Sequence, residues 1–239
     1  MQPPKNEAIA DSDPLPLESL LIVTAAPVET RAVLAGLERH PTDGLPHPQP
    51  RCLETGIGKA NAAAAVAREL ALHPCITAVI NIGIAGTLAE HKAAVGALIA
   101  STSSVFADEG VATPDGFLTT TDIGFPLLDG RDEILATPRL MSLSEHCVDH
   151  TGRIATVSTC SGTTDAARAV RERTGAIAEA MEGAAVGLAA VRAGAAFIEV
   201  RAISNTTGDR SAQRWDIPTA AARIERWCAE AILGLFPTQ

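Results

Sequence analysis

The chain predicts an α/β protein of the three-layer α/β/α type, with a central mixed, largely parallel sheet. Three observations lead there. Short β-rich runs alternate with helical segments along nearly the whole length. The 239 residues are 46% hydrophobic but only 3% aromatic, without a tyrosine, so the core must be built from Ala, Val, Ile and Leu. The β-rich runs are continuous apolar stretches rather than alternating ones, the pattern of strands buried on both faces.

The elements follow in order. Residues 1–17 hold four prolines among charges and read as a disordered leader, with one domain over 18–239. Leu20-Leu21-Ile22-Val23-Thr24 reads as a buried strand, and Pro27 opens a helix running to Leu37. Residues 41–50 carry four prolines and read as a loop. A strand over Arg51–Thr55 leads through Gly56-Ile57-Gly58 into an Ala-rich helix over Ala60–Leu72. Thr77–Ile82 reads as a strand closed by Gly83-Ile84-Ala85-Gly86, and Gly96–Ala107 as a long strand. Residues 108–138 read as one irregular stretch, long enough to be functional or mobile. Then come a strand over Arg153–Ser158, a helix over Thr164–Arg173, a short strand over Ala176–Ala180 and a helix over Glu182–Ala193. A strand over Ala195–Ile203 and an amphipathic helix over Ile217–Leu235 complete the chain.

Composition also excludes. A net charge of −9 with no basic run speaks against nucleic acid as a partner. No apolar stretch reaches the ~18 residues of a membrane span, and the acidic, Pro-rich start is not a secretory signal. The five cysteines are scattered without metal spacing, so they read as reduced thiols of a cytoplasmic protein with no metal and no cofactor.

Polar groups sit where an α/β sheet forms its ligand crevice, beyond the C-terminal ends of strands. In Glu179-Ala180-Met181-Glu182-Gly183-Ala184-Ala185, a carboxylate heads a stretch of small apolar residues. Burying it is costly unless something binds it, and the two hydroxyls of a ribose offer two donors to one carboxylate. Glu29 follows the first strand; it reads either as a general base with a raised pKa or as a solvated acid in a first helical turn. Asn205, ending Arg201-Ala202-Ile203-Ser204-Asn205, can donate and accept toward a ligand edge, or cap a turn. Gly56-Ile57-Gly58-Lys59-Ala60-Asn61 lacks the third glycine and the ribose acid of a dinucleotide fingerprint, which favours a tight turn, with a turn that shapes a pocket without touching phosphate as the alternative. Asp108-Glu109-Gly110 and Asp115-Gly116-Phe117 pair acids without a histidine cluster and read as a solvated loop. The Ser/Thr/Gly cluster of 156–164 either lines a pocket with hydroxyls or turns the chain, and no GxSxG is present.

Taken together and in order, the stretches around Glu29, Gly56–Asn61, Gly83–Gly86, Glu179–Glu182 and Arg201–Asn205 resemble the purine nucleoside phosphorylase and nucleosidase superfamily, over roughly residues 20–235. Within it, Ser158–Thr163, Glu179–Gly183 and Glu199–Asn205 look most like the branch that cleaves futalosine to hypoxanthine. The resemblance implies a nucleoside-phosphorylase-like fold, a small-molecule nucleoside substrate and a homo-oligomer, dimer or higher. It implies that Glu29 activates water, that Glu182 holds the ribose hydroxyls with Met181 against the sugar, and that Asn205 bonds the purine near N7. It extends the substrate contacts to Ile84, Ala85, Gly86, Ser161, Gly162 and Ser204. No aromatic near Ser161-Gly162 matches the one that stacks on the base in relatives; Phe106, Phe117 and Phe125, from the same chain or from a neighbouring subunit, are the alternatives, and Phe117 is assigned to the site. Where adenine-specific nucleosidases carry Asp, this chain has Asn205, which favours a 6-oxopurine over adenine. Where phosphorylases carry Arg and Ser for phosphate, it has Asn81 and Ile84, which favours water as nucleophile; methylthioadenosine, S-adenosylhomocysteine or aminodeoxyfutalosine nucleosidases and phosphorylases are the alternatives. Arg153, Arg201 and Arg210 are candidates for a carboxylate at the substrate's 5′ end.

Overall fold

A computed structural model describes residues 19–39, 50–88, 93–128 and 130–234. The expected leader and nearly all of the Pro-rich loop lie outside the described residues.

Strands β1 (Leu20–Thr24), β2 (Arg51–Glu54), β3 (Ala78–Thr87) and β10 (Ala196–Thr206) run parallel to their neighbours in the order β2-β1-β3-β10. Residues on alternate sides of β1 enter different cores. Leu20 and Ile22 join Trp227, Ile224 and Val33 beneath α1 (Pro27–Glu38) and α6 (Ile217–Gly234). Leu21 and Val23 join Val66, Ala184 and Phe197 beneath α2 (Lys59–Leu72) and α5 (Gly183–Arg192). Helices therefore cover both faces of this half, as the continuous apolar runs require.

The other half corrects the expectation of a plain three-layer sandwich. β10 also pairs antiparallel with β4 (Leu98–Phe106), and β4 pairs parallel with β8 (His150–Thr156). β8 pairs parallel with β9 (Ala178–Ala180), which runs antiparallel to β3. Because β3 also pairs with β10, these five strands close into a ring. The small cluster of Ala85, Ile99, Ile154, Ala178, Ala180 and Ile203 draws on all five. Closure removes exposed edges from these strands, which an open sheet would have to protect. The sheet is mixed, with five parallel and three antiparallel pairings in its main body, as expected.

Three local readings change. Gly83-Ile84-Ala85-Gly86 does not end β3 but lies inside it. Segment 108–138 is not wholly irregular: β5 (Gly110–Thr113) and β6 (Gly116–Thr119) form a hairpin, and β7 (Glu133–Leu135) pairs with β4. Helix α3 (Pro138–Glu145) was not expected, and α4 (Thr164–Thr174) ends at Gly175 in the left-handed conformation with φ 66°.

Candidate active site

The C-terminal ends of β1, β3, β9 and β10 meet at a cavity of about 470 Å³, a size suited to a small molecule. Glu29 stands at the third position of α1, in the first helical turn. It is a first-turn acid, yet it is 3% exposed and lines the cavity. Its Oε2 accepts the amides of Ala25 (2.8 Å) and Ala26 (3.0 Å), and its Oε1 accepts that of Ile84 on β3 (2.8 Å). Burial pushes its carboxyl above the ordinary 4.5; Arg201 and the Ile84 and Ala25 amides pull it partly back, and Glu182 adds to the rise.

Glu182 caps α5 and is 4% exposed. Its Oε1 accepts the Gly58 amide (3.0 Å) and its Oε2 meets Arg201 Nη2 (3.3 Å). The Gly56–Gly58 turn is thereby explained. Gly58 sits at φ 98°, where a side chain is strained, and its amide serves a carboxylate of the site rather than a phosphate. Arg201, 1% exposed, also bonds Glu199 (2.8 Å) and Asn81 Oδ1 (2.6 Å), while Glu199 accepts from Ser104. Burial opposes its charge, but Glu199, Glu182 and Glu29 outweigh that and raise its pKa. Arg201 is thus a buried counter-ion for the carboxylates, and its expected role toward a substrate carboxylate is withdrawn. Asn81 is likewise occupied, donating to the Val23 carbonyl (3.1 Å).

Asn205 is brought to the cavity by a register shift between β10 and β3, where Ile203 faces Ala85 and Asn205 faces Gly86. The extra residue, Ser204, and Asn205 both line the cavity. Asn205 Oδ1 accepts from Ser204 Oγ (2.9 Å) and Nδ2 donates to the Thr206 carbonyl (3.0 Å). An amide has two N–H donors and two acceptor lone pairs, so one of each is left for a ligand. The turn-capping alternative fails because Asn205 lies within β10.

Met181, Ile84, Ala85, Gly86, Ser161 and Gly162, which the resemblance assigns to the substrate, line the same cavity. Phe117 does not. It sits on the β5–β6 hairpin with the Arg173 guanidinium 4.9 Å over its ring, outside the cavity lining, because the hairpin folds as its own two-stranded sheet. The aromatic in the lining is Trp215, ten residues past Asn205. Its signal was available: the stretch after Asn205 lies at the crevice end of β10, where loop residues fall into the site.

Further residues were missed. Glu179 of β9 lines the cavity and accepts from both the amide (2.7 Å) and the hydroxyl (2.6 Å) of Ser161. Burial raises its pKa against those two bonds. Cys160, also in the lining, has a thiol pushed up to about 11 by burial and by Glu179. Asp108 and Glu109 are not a solvated pair. Lys59 bridges them at 2.6 and 3.0 Å, and Asp108 accepts the Ser158 amide. Among the described residues, no group of three or more His, Cys, Asp or Glu is placed to hold a metal.

The family model described as the phosphorylase superfamily matches residues 46–235. A futalosine hydrolase of Streptomyces coelicolor is 34% identical over 221 residues, covering 86% of this chain and 91% of its own. A futalosine hydrolase of Acidothermus cellulolyticus is 36% identical over 231 residues, covering 90% and 89%. Among solved structures, a 5′-methylthioadenosine/S-adenosylhomocysteine nucleosidase from Neisseria meningitidis in complex with methylthio-immucillin-A has a TM-score of 0.73 at 19% identity. The match covers 90% of this chain and 99% of that one.

Proposed function

The chain belongs to the phosphorylase superfamily and, within it, to the futalosine hydrolases, and from that premise we propose that it hydrolyses the N-glycosidic bond of futalosine, releasing hypoxanthine. The observation that carries the chemistry is that Glu29 and Glu182, both buried, face one cavity with Asn205. In this reading the ribose hydroxyls donate to Glu182, which Gly58 and Arg201 hold in place. The oxygen of a water bonds to C1′ and the water gives a proton to Glu29 as the C1′–N9 bond breaks. The bonding pair leaves with the purine, which takes up a proton from solvent at N7. A 6-oxopurine with N7 protonated presents a donor beside an acceptor, the complement of the free acceptor and donor of Asn205. The oxocarbenium-like charge on the sugar is stabilised by the buried carboxylates. At the positions where superfamily phosphorylases bind phosphate, Asn81 is spent on Arg201 and the Ile84 amide on Glu29, which favours water.

The reading includes a homo-oligomer. Val111, Leu118, Ile123, Phe125 and Leu135 are exposed apolar residues from one region, with Phe125 at 74%, and a second copy would cover them. No helix among the described residues is long and apolar enough to cross a membrane. The five cysteines are free, which suits the reducing cytoplasm.

The test is incubation with futalosine, inosine, adenosine and methylthioadenosine, with and without phosphate, reading the released base. Hypoxanthine released from futalosine at a rate independent of phosphate is expected. Adenine release without hypoxanthine, or dependence on phosphate, overturns the reading.

A further inference from the structure

We infer that Arg210 selects substrates whose 5′ extension ends in a carboxylate, a specificity that rests on the nucleosidase reading of the cavity. Three arginines were candidates for such a group, and the structure separates them. Arg201 is buried and committed to Glu199 and Glu182. Arg153 pairs with Glu133 (3.4 Å) and with the Thr174 carbonyl, outside the cavity lining. Arg210 alone of the three lines the cavity, and no described carboxylate pairs with it.

Its surroundings hold it ready. The guanidinium lies 4.8 Å over the Trp215 ring, and Nη1 donates to Gln213 Oε1 (3.0 Å). The same oxygen accepts from Trp215 Nε1 (3.1 Å), and Gln213 Nε2 donates to the carbonyls of Ser161 (2.9 Å) and Gly208 (2.8 Å). Gln213 thus locks Arg210 and Trp215 to one another and to the Ser161 loop. The rest of the guanidinium fork, which matches a carboxylate in geometry, keeps its donors for a ligand.

Depth assigns the part of the substrate it meets. Glu29, Glu182 and Asn205 are 3–4% exposed and take the reacting centre and the base, whereas Arg210 is exposed and Trp215 is 45% exposed. What projects to that rim from a nucleoside so placed is the 5′ extension. The lining also holds three carboxylates, Glu29, Glu179 and Glu182, so an anionic ligand end is accepted only beside a cation. A flat apolar ring with a terminal carboxylate fits the pair, ring against indole and carboxylate on guanidinium.

The experiment compares wild type, Arg210→Ala and Arg210→Lys on futalosine, its carboxyl methyl ester and inosine, with binding of acid and ester read by calorimetry. In Arg210→Ala the futalosine-to-inosine ratio of kcat/KM is expected to fall about 10- to 100-fold, chiefly through KM, the scale of a charge-assisted hydrogen bond. Arg210→Lys keeps part of the preference. Methylation costs wild type a similar factor and Arg210→Ala little. Equal losses on futalosine and inosine would assign Arg210 to base or ribose and overturn the inference, as would equal binding of acid and ester by wild type. A wild type that prefers the acid in binding yet releases no hypoxanthine overturns the functional reading and leaves the role of Arg210 supported.

Discussion

Glu29 shows how one side chain serves fold and chemistry together. Its carboxylate satisfies the open amides at the start of α1 and ties that helix to β3, while burial raises its pKa. As a base it must be ionised, so kcat/KM is expected to fall with pH along an acid limb centred above the ordinary 4.5, read from a pH–rate profile. Glu29→Gln is expected to remove that limb and about 10²–10⁴-fold of the rate, read as hypoxanthine release. The sign for stability is opposite. Because the folded pKa lies above the unfolded one, the group favours folding below 4.5 and that contribution is lost as pH rises through the folded pKa. At Asn205 the prediction concerns the base. Asn205→Asp trades a donor for an acceptor and is expected to shift preference toward adenine, measured as the adenosine-to-inosine ratio of kcat/KM. Position at strand ends singled out Glu29, Glu182 and Asn205, but the residues alone left Glu29 and Asn205 open between a site and a helix turn or cap, and only the resemblance to the superfamily assigned their roles. Arg201 was misread because an arginine beside a motif looks the same whether it faces solvent, substrate or buried acids.

Strand β3 was read too short because its glycines look like punctuation. They are there for space instead. A methyl group at Gly83 would collide with the Arg201 guanidinium and the Glu29 carboxylate, which cross the strand at that point. Gly83→Ala is therefore expected to cost about 1–3 kcal/mol in denaturant unfolding, as overpacking does, and to lower activity by displacing Glu29. Helix α6 was read correctly, because its buried Ala220, Ile224, Trp227, Cys228, Ala231 and Ile232 recur at helical spacing. Trp227→Ala is expected to destabilise by about 3–5 kcal/mol. Trp227→Phe should cost much less, since it deletes an indole N–H that has no partner among the described residues. Both are read from thermal or urea midpoints. Helix α3 was missed because its eight residues make only about two turns and directly follow the irregular segment.

At the scale of the whole molecule, the exposed apolar residues between Val111 and Leu135 set the expectation of self-association. Phe125→Asp is expected to shift the sedimentation equilibrium toward monomer. The sequence by itself determined that strands and helices alternate and that polar groups gather where strands end, which follow from hydrophobic period and from the geometry of parallel strands and are local. That Glu29, Glu182, Asn205, Met181 and the Ile84–Gly86 and Ser161-Gly162 segments belong together came from the resemblance to the superfamily, and the fold brings them to one cavity. Only the tertiary structure decided that β10-β4-β8-β9-β3 closes into a ring, since closure depends on pairings such as Thr206 with Thr87 and Ala202 with Leu98, between strands more than a hundred residues apart. It alone placed Trp215 rather than Phe117 in the cavity, buried Arg201 among acids and left Arg210 at the rim. Each of those depends on which side chains meet in space, and the same residue types are compatible with either outcome until the chain has folded.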